Sequence, residues 1–130
     1  MKEESAVQFL TLAEVVDIHK NQIELHGGEP GIRDIKLLSS AISMPGATFN
    51  NEFLHRDIFE MAGAYCFHIC KNHPFIDGNK RTALVSALVF LDFNNIEYDY
   101  PGEVLYNMIM DIISGKAGKD EISRILRERR

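Results

Sequence analysis

One ten-residue stretch, His73-Pro74-Phe75-Ile76-Asp77-Gly78-Asn79-Lys80-Arg81-Thr82, gathers side chains that could move a proton, hold a cation and cradle an anion. Imidazoles accept protons near neutral pH, which makes His73 the candidate base. Asp77 puts a carboxylate on the loop, where it could hold a magnesium ion bridging phosphate oxygens. Gly78 frees the backbone to turn, and Gly78 to Arg81 should open a helix. The first N–H groups of a helix lack intrahelical partners and form an anion site. Lys80 and Arg81 add cationic donors beside it, and Asn79 adds a neutral amide. Cations at a helix N-terminus oppose its dipole, and that cost itself hints at an anion. Phe75 is expected to plug into the core and anchor the loop. The chemistry this set fits is transfer of a phosphorus-containing group to a hydroxyl.

Two apolar helices must position the loop. Asp57 can cap the first, which runs to about Asn72 and is apolar nearly all round. A helix without a polar face is usually central in a bundle. Pro74 stops it, because the residue before a proline is pushed out of the helical region. The second runs from about Asn79 to Phe93 and ends at Asn94-Asn95. Upstream, Thr11-Leu12-Ala13-Glu14 reads as a capping box. The helix it starts has Leu12, Val15, Val16, Ile18, Ile23 and Leu25 as its apolar face and ends at Gly27-Gly28. Asp34 opens another helix, with Ile35, Leu37, Leu38, Ala41 and Ile42 facing inward, stopped by Pro45-Gly46. Residues 46–55 read as a loop or short hairpin. Residues 96–100 read as short and extended. Pro101 suits a first helical turn, and Val104, Leu105, Met108, Ile109, Ile112 and Ile113 follow at helical spacing. A last helix is expected from Asp120 to the end. The expectation is an all-α, compact bundle of about six helices forming a single domain over 1–130.

Composition agrees with that and excludes other classes. The chain has 130 residues, 45% apolar and 25% charged, close to globular averages. Its net charge of −5 disfavours direct nucleic-acid binding, which needs a dense basic face. The basic groups are concentrated at the end, in Arg124, Arg127, Arg129 and Arg130, which read first as a solvated terminal helix and second as a docking patch. Cys66 and Cys70 fall one turn apart on one helix face, a poor disulfide geometry, and read as buried thiols of a reducing cytoplasm. With His73 they have a conceivable zinc spacing, disfavoured by the apolar context and the lack of a fourth ligand. Met1 to Ser5 lead into no signal-like apolar block, and the run Ala83 to Leu91 is too short to span a bilayer. No membrane partner is expected, and the location expected is cytoplasmic. His19 and His26 read as surface groups of the first helix; His55 and His68 have no assigned place.

The segment His73-x-Phe75-x-Asp77-Gly78-Asn79-Lys80-Arg81 resembles the signature of the Fic/Doc superfamily, and specifically its death-on-curing (Doc) branch. The Gly27-Gly28-x-Pro30-Gly31 loop and Lys80-Arg81-Thr82-Ala83-Leu84 are also similar. The resemblance implies an all-α bundle, with His73 as the base for a target-protein hydroxyl, Asp77 as the Mg²⁺ ligand and Gly78 to Arg81 as the nucleotide-phosphate site. It also implies that residues 46–55 are a flap, with Thr48, Phe49 and Asn50 in it, that pairs with the target's extended segment. AMP-transferring members have glycine at the position of Lys80 and a second arginine at that of Leu84. Both departures resemble Doc-type toxins, which hold ATP reversed and pass its γ-phosphate to a threonine of elongation factor Tu. Pro74 and Gly78 are the residues of the AMP-transferring branch. Kinase, AMP transferase and an inactive Fic-fold docking module therefore stand side by side, with the kinase favoured. An inhibitory Ser/Thr-x-x-x-Glu-Gly/Asn helix signature is not evident, so inhibition is expected in trans, from a cognate antitoxin whose disordered tail folds on the toxin.

Overall fold

The computed structural model describes residues 6–128. Among them six helices and one small hairpin follow in the order α1 (Leu12–His26), α2 (Ile35–Ser43), β1 (Thr48–Phe49), β2 (Glu52–Phe53), α3 (Ile58–Asn72), α4 (Asn79–Phe93), α5 (Gly102–Ile113) and α6 (Lys119–Arg127). This is the all-α bundle with a flap-like hairpin that the sequence predicts. Each early helix starts where a side chain satisfies its free N–H groups. Thr11 and Glu14 exchange bonds across the first turn of α1, Asp34 accepts from Lys36 and Leu37, and Asp57 accepts from Glu60.

The α3 helix is the axis of the bundle. It packs against α2, α4, α5 and α6, with α4 as its most extensive neighbour. Met61, Ala62, Tyr65, Cys66 and Ile69 are buried on it, facing Ala83, Ala87, Phe90 and Leu91 of α4. α6 packs over Gly63, where a Cβ would make ordinary contact with Ile122 at 3.4 Å. The Tyr65 hydroxyl is buried and accepts from the Leu10 N–H at 2.8 Å, and burial pushes its pKa up to about 12. That bond ties the segment before α1 to the core.

Several side chains take places other than those expected. Leu12 and Leu25 are exposed on α1, and Ile35 is exposed on α2. The buried stripe of α1 is Val15, His19 and Gln22, because the loop between α3 and α4 lies over that face. His19, expected at the surface, is only 2% exposed. His26 is exposed. The last helix starts at Lys119, after Gly118, one residue earlier than expected. Residues 96–100 form no regular strand. Cys66 is buried, Cys70 is half-buried, and both are free thiols. Arg124 pairs with Glu121 on the solvated face of its own helix, and Arg127 reaches Asp57 at the start of α3 at 2.8 Å. Arg129, Arg130 and Met1 to Ser5 lie outside the described residues. No described helix is long and apolar enough to cross a membrane.

His55 and His68 form a second polar cluster, away from the α3–α4 loop. The Lys119 ammonium donates to His55 Nε2 at 3.1 Å and to His68 Nε2 at 3.2 Å. Both imidazoles are therefore neutral acceptors. The cluster ties the root of the hairpin to α3 and the start of α6, beside a cavity of about 370 Å³ that Arg56 and Glu60 also line. Burial first, and the neighbouring ammonium second, lower the pKa of His55 and hold that of His68 down at about 4. An unfolded histidine titrates near ~6.5, so the unfolded chain takes up the proton first as pH falls. Stability contributed by His68 is present above about pH 6.5 and is lost between there and about pH 4. The expected result is a melting temperature that falls across this window in the native protein and falls less in His68→Gln. Equal slopes in a pH series of thermal melts would refute the linkage.

Candidate functional site

The loop between α3 and α4 is anchored from within. Phe75 is fully buried and stacks on His19, with ring centroids 3.8 Å apart and planes 6° from parallel. The Phe75 N–H donates to Asn79 Oδ1, and Asn79 Nδ2 donates back to the Phe75 carbonyl, both at 2.9 Å. The Asn79 side chain, expected as a donor to phosphate, thus has both ends of its amide engaged inside the loop. An isolated bridge pairs Ile32 with Phe75, with the Ile76 N–H donating to the Gly31 carbonyl at 3.0 Å. The loop between α1 and α2 is therefore fastened to the α3–α4 loop as a short two-stranded contact.

Asp77 stands at the turn. Its carboxylate accepts from the Glu29 N–H at 3.1 Å and from the Gly78 N–H at 2.9 Å. These two backbone donors, Glu29 first, hold its pKa below the usual carboxylate range. Asp77 is thus an exposed, fixed anion with lone pairs left over for a hard cation. Its own carbonyl lies 2.8 Å from His19 Nε2, so His19 must present an N–H there. Gly28 has to be glycine in this arrangement: its φ is +118°, and a Cβ would come within 2.9 Å of Asp77 Oδ2.

Gly78, at φ +76°, starts α4 with no side-chain cap. The first N–H groups of α4 therefore open outward beside Lys80 and Arg81, both exposed. His73 sits across from them at the end of α3. It is the C-cap, with φ 51° and ψ 54°, and its N–H bonds the Ile69 carbonyl. A pre-proline residue was expected to leave the right-handed helical region; it does so into the left-handed region rather than the extended one.

These groups rim one cavity of about 810 Å³. His73, Asp77, Gly78, Asn79, Lys80 and Arg81 form one side. Leu84 of α4 and Leu105, Tyr106, Ile109 and Met110 of α5 form an apolar wall on the other. The site accordingly combines an imidazole, a fixed carboxylate and a cationic helix start with an apolar face. The hairpin residues Thr48, Phe49 and Asn50 are exposed but do not line this cavity. Asn50 and Asn51 both have positive φ, the two-residue turn that suits the twist of a tight hairpin. Cys66, Cys70 and His73 do not gather: among the described residues no group of three His, Cys, Asp or Glu side chains is placed to hold a metal ion.

Sequence reasoning missed His19, Arg33 and the α5 wall. The Val15, His19, Gln22 spacing was the available signal for the first. Arg33 bonds the Asn72 and His73 carbonyls, partners some forty residues away that no local pattern reveals.

Comparison with known proteins points one way. A sequence model described as the Fic/DOC family matches residues 9–91. The chain is 37% identical over 71 residues to Toxin Doc of Mycolicibacterium smegmatis (strain ATCC 700084 / mc(2)155), a stretch that covers 55% of this chain and 55% of that one. It is 31% identical over 115 residues to Protein kinase doc of Escherichia phage P1, covering 88% of this chain and 89% of that protein.

Proposed function

The chain belongs to the Fic/DOC family, in its Doc branch, and from that premise we propose that it is a toxin-like protein kinase that phosphorylates a Ser or Thr hydroxyl from ATP and Mg²⁺. The observation that carries this reading is the single cavity that brings His73, Asp77 and the open start of α4 to one place. The target is a translation factor such as elongation factor Tu, and the protein is held in check by a cognate antitoxin with a disordered tail. The relative from phage P1 bears the name of a protein kinase, which supports phosphoryl over AMP transfer. Lys80 at the cavity rim and Leu84 in its wall, where AMP-transferring members have glycine and arginine, support it further.

The residues have separable tasks. His73 accepts the proton of the target hydroxyl as its oxygen bonds to the γ-phosphorus; the bond to the bridging oxygen breaks and ADP leaves. Asp77, exposed and pinned by two N–H donors, is suited to hold Mg²⁺. When bound, that ion would neutralise phosphate charge. The N–H groups of Asn79, Lys80 and Arg81 at the start of α4, with the Lys80 and Arg81 side chains, receive the phosphates. The apolar α5 wall takes the base. The exposed hairpin with Thr48, Phe49 and Asn50 offers backbone for pairing with the target.

AMP transfer is the second reading, favoured by Pro74 and Gly78. In that reaction the hydroxyl attacks the α-phosphorus and pyrophosphate leaves. The test is incubation of the protein and of His73→Asn with cell extract and ATP labelled at the γ- or the α-phosphate. γ-Label on a protein with the native chain alone is the expected result. α-Label instead means AMP transfer. Neither label overturns both reactions and leaves a docking module.

A further inference from the structure

We propose that Arg33 is the positioning residue for His73: its guanidinium clamps the end of α3 and holds His73 in the left-handed backbone conformation that turns the imidazole to the cavity. The inference rests on His73 acting as the base.

Three successive carbonyls at the end of α3 are taken up by Arg33 and its neighbour. Arg33 Nη2 donates to the Asn72 carbonyl at 3.0 Å, and Arg33 Nε donates to the His73 carbonyl at 2.7 Å. The backbone N–H groups of Arg33 and Asp34 both donate to the Pro74 carbonyl, at 2.7 and 3.0 Å. Asn72 returns a bond from its Nδ2 to the Leu37 carbonyl at 2.9 Å. The strand-like contact of Ile32 with Phe75 continues into this clamp.

The clamp has a task because His73 is in an unfavourable place. A left-handed residue that is not glycine is uncommon; histidine enters this region more readily than most, but proline at the next position narrows its choice. Such a conformation persists only where its surroundings over-determine it. Among the described residues no hydrogen bond reaches the His73 ring itself, so the backbone, which sets the direction in which the side chain leaves the chain, is what the fold controls here. A guanidinium presents its donors in a rigid fork that matches two carbonyls at once, whereas a lysine ammonium is a point charge. A cation at this end of α3 also complements the helix dipole.

Arg33→Ala should lower kcat for transfer by about 10- to 100-fold, the scale of a small misplacement of a reacting group, with KM for ATP within about twofold. Arg33→Lys should recover only part of the loss, and added methylguanidinium should restore Arg33→Ala but not His73→Ala. Backbone chemical shifts of His73 in isotope-labelled protein are the second measurement. In Arg33→Ala they should move from left-handed values while those of Asp77 and Asn79 stay. If the native chain transfers nothing, the catalytic reading has failed, and the shifts alone decide whether Arg33 sets the His73 backbone. Unchanged His73 shifts, equal activity in Arg33→Ala, or KM and kcat changing together in proportion to lost stability each overturn the proposal.

Discussion

Asparagine in place of His73 should lower the proposed transfer by about 10²–10⁴-fold, the usual contribution of a positioned base, and leave the melting temperature within a few degrees of native. The site combines two demands at this residue that the substitution separates. The backbone must stay left-handed, at φ 51° and ψ 54°, and asparagine is among the non-glycine residues that tolerate this region best. In the proposed role the side chain accepts a proton, which an amide does not. His73→Ala confounds the two demands, because alanine disfavours the left-handed region. The ring is exposed, so its removal leaves no cavity in the core. Parallel thermal melts and single-turnover phosphate transfer decide the matter. Native rates in His73→Asn would remove His73 from the chemistry, and a rate loss explained by a matching loss of folded protein would do the same.

The helices were legible because their signals are local. Thr11 with Glu14, Asp34 and Asp57 each lie within a turn of the N–H groups they satisfy. The near-uniform apolarity of α3 and α4 marks the two elements that meet at the centre. The hairpin was legible only as an interruption, since four strand residues exposed on both faces leave no alternation to read. Which side of a short amphipathic helix faces inward was less legible. α1 buries His19 and Gln22 and exposes Leu12 and Leu25, because what covers it is a polar loop from sixty residues further on.

The same distinction divides the site. That His73, Asp77, Lys80 and Arg81 would lie together was legible because they fall within one short loop and the helix start that follows it. The supports were not. Glu29 acts on Asp77 through its backbone N–H, which any residue but proline supplies; Gly28 beside it was visible as a glycine but not as the residue that lets that approach occur. His19 serves as a stacking partner and a donor, roles that a surface histidine would show equally in sequence. A loop that must hold several groups at fixed separations is stabilised by contacts distant in sequence, and these carry no local pattern.

Asn79 gives the sharpest separation between ligand and support. If its amide served phosphate alone, Asn79→Ala would lose activity and keep its stability. The structure instead has both amide ends on the Phe75 backbone, buried, at 2.9 Å. Removing them leaves a buried N–H and a buried carbonyl unpaired, at about 1–3 kcal/mol each. Asn79→Ala should therefore melt about 10 °C lower and lose transfer as well, since Phe75 is the anchor on which Asp77 is set. Asn79→Asp sharpens the test. Its carboxylate still accepts from the Phe75 N–H but opposes the Phe75 carbonyl, so burial and repulsion raise its pKa in the folded state. A raised carboxyl pKa favours the fold when protonated, and a protonated aspartate donates to that carbonyl. The deficit of Asn79→Asp relative to native should be large at pH 7 and shrink as pH falls toward about 4. A deficit independent of pH, or an Asn79→Ala protein as stable as native, would return the amide to the role of a phosphate ligand.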